Sequence, residues 1–140
     1  MKQHSDSGSI TKNLWLNTAI MTKRLDNSLG DIHGIGSTEY MVLFTLIKAP
    51  SHTLRRVDIA DALARSVSGI TRLLQPMEKN GLVTKDSNER GAKVSLIKLT
   101  AAGEELFNNA CVTFDAQSQT MLKNLDKENA DKLLNLLRMI

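Results

Sequence analysis

Ser68, Thr71, Arg72, Gln75 and Lys79 recur one, three or four positions apart, so a helix would gather them on one face. Their chemistry suits duplex DNA. Arg can donate two hydrogen bonds to a guanine, Gln can pair with an adenine through two, and Ser or Thr fits a base edge or a phosphate. The other side of the same stretch carries Val67, Ile70, Leu74 and Met77, with Leu73 beside them, which gives the helix an apolar face to anchor it. Ser66 is the expected N-cap, its hydroxyl accepting from a backbone N–H two or three residues on. Ser66 and Gly69, in the first turn, complete the candidate DNA-contact set. Gly81 fits the left-handed position that closes a helix. Pro76 removes one helical hydrogen bond and crowds the Arg72 carbonyl, so a bend is expected there. Taken alone, the pattern also describes an ordinary amphipathic surface helix.

The rest of the chain must hold that helix. With 140 residues, 41% hydrophobic and 24% charged, it is long enough and apolar enough for one folded core. No apolar run approaches the roughly 18 residues a membrane span needs. Met1 to Ser9 is polar and lacks the apolar centre of a signal peptide, so the expected location is cytoplasmic, with no membrane partner. One cysteine, Cys111, rules out an intrachain disulfide framework. The net charge of +3 is unevenly spread: residues 52–100 hold nine Lys and Arg against five Asp and Glu, the remainder nine against ten. The basic excess surrounds the candidate helix, the sign that phosphates require.

Residues 1–9 read as a flexible tail. Ile10, Leu14, Thr18, Met21, Leu25 and Leu29 make a helical stripe, and Gly30, Gly34 and Gly36 mark a loop, so residues 10–35 form an N-terminal helix and its exit. Gly36 or Ser37 caps the next helix. Tyr40 to Lys48 is so apolar that it should be buried nearly all round, and Pro50 ends it. Thr53 and Leu54 suit a short strand. Arg55 to Ala64 suits a short helix burying Val57, Ile59, Ala60 and Leu63, and Arg65 and Ser66 turn into the candidate DNA-reading helix. Two helices joined so closely are a helix-turn-helix. Leu82 to Asp86 and Val94 to Leu99 alternate as a hairpin around a polar tip, which makes a wing. Arg90 and Lys93 near the tip suit phosphates or an A·T-rich minor groove. Residues 36–100 are thus the expected DNA-binding domain. In residues 101–140, Thr100 caps a helix of about 24 residues carrying Leu106, Ala110, Phe114 and Met121. Asp126 caps a last one with Leu133, Leu134, Leu136, Leu137 and Ile140. That final band must fold back or meet another chain.

These pieces resemble the MarR-type winged-helix transcriptional regulators. The resemblance lies in Val57-Asp-Ile-Ala-Asp-Ala-Leu63, Ser68-Gly-Ile-Thr-Arg-Leu-Leu74 and Met77-Glu-Lys-Asn-Gly-Leu-Val83, in that order. The wing and exit, from Asp86-x-x-Glu-Arg90 through Ile97-Lys-Leu-Thr100-Ala-Ala-Gly103, continue it, and Ile35-Gly-x-x-Glu-Tyr-x-Val-Leu43 resembles the family's second helix. The resemblance implies a mainly α winged helix-turn-helix with a small β-hairpin wing, ordered helix, helix, strand, helix, helix, strand, strand, helix, helix. It implies a homodimer joined through its N- and C-terminal helices. It also implies a pseudo-palindromic operator with half-sites about one helical turn apart. Ser68, Thr71, Arg72 and Gln75 would then face the major groove. The family's wing often has a second Arg after its Asp-Arg pair. Here Gly91 follows Arg90 and Lys93 comes two residues later, so either Arg90 or Lys93 serves the minor groove. A small-molecule effector pocket between the dimer helices and the DNA-binding domain is also implied, with Leu14, Thr18, Met41, Phe44 and Phe114 as candidate lining.

Other chemistries find little footing. His4, His33 and His52 lack metal-ligand spacing, so no metal is expected. No cofactor motif, phosphate loop or nucleophile elbow is present, and an enzyme is not expected. Cys111 has no resolving partner in the chain and reads as a small buried hydrophobe rather than a redox sensor. The expectation is a homodimeric DNA-binding regulator of transcription, a repressor released by a ligand. The alternative is a winged-helix module that binds protein without sequence-specific DNA binding.

Overall fold

The computed structural model describes residues 1–87 and 95–140. Helix α1 (Asp6–His33) starts where the Ser5 hydroxyl accepts from the Gly8 N–H at 3.1 Å. The tail expected through Ser9 is therefore shorter, because a good N-cap lies four residues earlier than the first apolar residue of the stripe. The helix also runs past Gly30 and closes on Gly34, which takes φ 72° and donates to the Gly30 carbonyl. Only residues from Met21 onward pack against the domain, through buried Leu25 and Leu29, whereas residues 10–20 are all exposed.

Helix α2 (Ser37–Ile47) begins at Gly36, which has no side chain to cap it. The Asp26 carboxylate of α1 substitutes, accepting from the Ser37 N–H at 2.7 Å, which couples the start of one helix to the flank of the other. Tyr40, Val42, Leu43 and Leu46 are buried, but Phe44 is exposed and Met41 and Ile47 are half-buried. The expectation of burial all round thus fails on one face. Tyr40 stacks between Phe107 (5.1 Å between ring centres) and Phe114 (4.5 Å).

A single turn, Pro50–His52, leads into β1 (Thr53–Arg55), α3 (Arg56–Ala62), α4 (Val67–Lys79), β2 (Val83–Ser87) and β3 (Ser95–Leu99). The sheet order is β1-β3-β2, both pairs antiparallel, with Leu54 opposite Ile97 and Lys85 also opposite Ile97 on the other side. In α3, Ile59 and Ala60 are buried; Val57, expected beside them, is exposed. Helices α5 (Ala101–Met121) and α6 (Lys127–Leu137) follow, and α5 packs along α1 and α2. Two polar bridges join α1 to α5: Ser28 Oγ to Gln117 Oε1 (3.0 Å) and His33 Nε2 to Thr113 Oγ1 (2.7 Å). No described helix is long and apolar enough to cross a membrane.

Thr100 ties the winged domain to α5. Its hydroxyl accepts from the Gly103 N–H at 3.0 Å and lies 2.6 Å and 2.9 Å from the Gly81 and Leu82 carbonyls, to which it can donate. Its own N–H also donates to the Leu82 carbonyl. Thr100→Val keeps the shape and deletes the cap, so unfolding stability should fall by about 1–2 kcal/mol. Thermal denaturation should show this as a drop in Tm of about 3–6 °C; an unchanged Tm would mean the cap contributes nothing.

Candidate nucleic-acid interface

Helix α4 is built to show one face. Ser66 caps it, accepting from the Gly69 N–H at 3.0 Å, and the Ser68 hydroxyl lies 3.3 Å from that of Ser66. A Cβ at Gly69 would meet Ser66 Oγ at 3.0 Å, tighter than ordinary packing, so a small residue suits this first turn. Ile70, Leu74 and Met77 are each about 1% exposed and pin the inner face to the core. Val67, expected with them, is exposed, because the first turn projects beyond the core. Outward stand Ser68, Arg72, Gln75 and Lys79, all exposed, with Thr71 half-buried at their side. The helix runs unbroken through Pro76, so the expected bend does not interrupt it. Pro76 lies on the exposed side of that helix.

The turn before α4 is sharp. Ala64 takes φ 53°, and the Arg65 N–H reaches back to the Ala60 carbonyl at 2.9 Å. After α4, Gly81 takes φ 76° as expected for its position. Arg55 and Asp58 form a two-point ion pair at 2.9 and 3.0 Å across the start of α3. That guanidinium holds the exposed Asp58 carboxyl below its usual range. The Arg65 guanidinium donates to Thr38 Oγ1 at 3.2 Å, linking the helix-helix turn to the start of α2.

One residue of this region escapes sequence reasoning. Arg56, at the start of α3, donates through Nε to Ser95 Oγ (2.9 Å) and through Nη1 to Thr71 Oγ1 (3.0 Å). It therefore joins the root of the hairpin to the outward face of α4. No local pattern signals this, since the three residues are far apart in the chain. The hairpin itself is as expected, five paired positions from Val83–Leu99 to Ser87–Ser95. Arg90 and Lys93 lie outside the described residues.

The candidate effector lining separates into two groups. Met41, Phe44 and Phe114 border a cavity of about 310 Å³ with Tyr40, Phe107 and Cys111. Met41 and Phe114 also border a second cavity of about 230 Å³ with Thr22, Leu25 and Arg65. Leu14 and Thr18 border neither; they lie exposed on the half of α1 that projects past the domain. Burial, and then the neighbouring Cys111 thiol, raise the Tyr40 phenol above its ordinary value, so it stays a neutral hydrogen-bonding group. Among the described residues, no group of three His, Cys, Asp or Glu is placed to hold a metal ion.

A helix-turn-helix whose second helix turns a polar row outward, followed by an antiparallel hairpin, defines a winged-helix protein. Residues 35–93 match the family model described as the MarR family. Over 84 residues the chain is 32% identical to the HTH-type transcriptional regulator PrsX of Escherichia coli, covering 58% of this chain and 51% of that one. Over 79 residues it is 27% identical to the transcriptional repressor MprA of Escherichia coli K12, covering 56% and 45%. The chain thus spans about half the length of the curated relatives it matches. The crystal structure of a MarR family transcriptional regulator from Streptomyces coelicolor, in complex with DNA, superposes with a TM-score of 0.84. That match covers 99% of this chain and 89% of that one, at 18% identity, and bears on the fold. Over residues 35–93 the chain is thus similar to the MarR family.

Proposed function

We propose that the protein is a non-enzymatic regulator of transcription that binds double-stranded DNA through α4 and the hairpin. The observation that carries this reading is the outward row Ser68, Arg72, Gln75 and Lys79 on a helix pinned from behind by buried Ile70, Leu74 and Met77. Small polar residues with one Arg and one Gln match base edges in a major groove. A protein-binding surface would favour aromatic and apolar residues there instead. Ser66, Gly69 and Thr71 flank that row, and Arg90 or Lys93 would reach the adjacent minor groove.

The working form is a cytoplasmic homodimer on a two-fold operator. It acts as a repressor by occupying the promoter, the role carried in the name of one relative. A small ligand in a cavity bordered by Met41, Phe44 and Phe114 would release it, provided the ligand binds more tightly to the state that cannot span both half-sites. Selection from a random duplex pool tests the reading. The native protein should enrich an inverted repeat. Arg72→Ala should bind that repeat about 1–3 kcal/mol more weakly per half-site, with relaxed preference at one base position. Failure to enrich any motif, with only weak salt-sensitive binding, would overturn it in favour of a protein-interaction module.

A further inference from the structure

We propose that Arg56 is a positioning residue for DNA recognition: it fixes the hairpin root to α4 and turns the Thr71 hydroxyl into a donor aimed away from the protein. The inference rests on the DNA-binding reading above. Its geometric basis is the bridge from one guanidinium to Thr71 Oγ1 at 3.0 Å and Ser95 Oγ at 2.9 Å. A guanidinium only donates, so both hydroxyl oxygens must accept from it. Each hydroxyl then keeps a single O–H that cannot point back at Arg56. A helical Thr can spend that proton on the carbonyl four residues earlier. Thr11, Thr45 and Thr120 do so here, to Ser7, Met41 and Ala116. Among the described residues Thr71 makes no such bond. Its proton remains for an acceptor beyond the helix, beside Ser68, Arg72 and Gln75, and on duplex DNA that acceptor is a phosphate oxygen or the O or N of a base edge.

The second consequence is geometric. Ser95 is the first described residue after the hairpin tip, and Thr71 lies in the second turn of α4. A hairpin meets the minor groove and α4 the major groove, so the angle between them must match the DNA before it binds. The planar fork of Arg56 sets that angle in the free protein. A lysine at 56 would keep the charge but offers a point, not a fork.

Equilibrium binding to the selected operator tests this, measured across salt concentrations, with Tm recorded for each variant. Arg56→Gln should weaken binding about tenfold while Tm stays within about 3 °C of native. Arg56→Lys should fail to rescue the loss. In a Thr71→Val, Ser95→Ala background, Arg56→Gln should have no further effect, because both groups it orients are gone. The salt dependence should keep its native slope. Three results would overturn the inference: rescue by Arg56→Lys with a slope reduced by about one in Arg56→Gln, which marks a direct phosphate contact; additive losses; or a fall in Tm large enough to explain the weaker binding. A native protein that binds no DNA would overturn this inference and the proposed function together. A native protein that binds, with Arg56 variants that bind equally well, would overturn the inference alone.

Discussion

Gly103→Ala should destabilise the protein by about 3 kcal/mol and lower Tm by about 10 °C. Gly103 is the third residue of α5, buried where that helix crosses the exit of α4 into β2. A Cβ built there collides with the Leu82 carbonyl oxygen and comes within 2.7 Å of Leu99 Cδ1. The leucine tip could turn aside. The carbonyl is backbone, and it already accepts from the Thr100 N–H at 3.1 Å, so moving it breaks the bond that seats the start of α5. Relief must come from a shift of the whole helix away from the sheet, which opens packing around Leu99 and Phe107 as well. Gly30→Ala is the control. Gly30 is also helical, but the nearest atom to its added Cβ, the Ile35 carbonyl oxygen, is 4.0 Å away. The helix propensity gained should then leave the protein unchanged or about 0.5–1 kcal/mol more stable. Paired denaturation curves for the two variants check both signs; a mild Gly103→Ala would mean that α5 is free to slide.

That contrast shows where sequence patterns end. Gly103 stands out in the sequence only as part of a resemblance, because the close approach of α5 to Leu82 is a long-range contact. Caps were legible: Ser66, Thr100 and Asp126 each accept from the N–H three residues on, as a local rule requires. So was the inner row Ile70, Leu74 and Met77, because helical periodicity and burial coincide there. Periodicity failed where an element outruns the core. Val57 and Val67 continue apolar stripes yet lie exposed at helix starts, and Phe107, outside the expected stripe of α5, is buried against Tyr40. Leu14 and Thr18 came in only as what the resemblance implies, and in the single chain they lie exposed on the projecting half of α1. Arg56 was invisible for the opposite reason. Its partners lie 15 and 39 residues away, and only the fold brings them to one guanidinium.

The native protein should sediment as a dimer at micromolar concentration, and Leu134→Asp combined with Leu137→Asp should convert it to a monomer. Every residue of α6 is exposed, including Leu133, Leu134, Leu136 and Leu137, with Met139 and Ile140 following. An 11-residue helix is too short to persist in water on its own propensity. The Asp126 cap and two exposed pairs, Lys127–Asp131 at 3.5 Å and Glu128–Lys132 at 3.2 Å, add only tenths of a kcal/mol each. Burial of its leucines is the remaining source of stability, and the described residues supply no cover for them. A second uncovered run, Ile10, Leu14, Trp15, Leu16 and Ile20, lies on the projecting half of α1. Trp15 is 70% exposed, unusual for the residue with the largest apolar surface to hide. Two copies related by a two-fold axis would cover both runs at once, since such an interface repeats each contact. Burying one leucine contributes about 1.5–3 kcal/mol, so losing two per protomer should weaken association by about a hundredfold or more, before the cost of burying a charge. Operator affinity should fall with it, since in the proposed dimer each protomer would grip one half-site. The control is Lys132→Ala, which removes a solvent-exposed pair and should leave both mass and affinity unchanged. A native monomer, or an aspartate double variant that stays dimeric, would place the covering surface elsewhere.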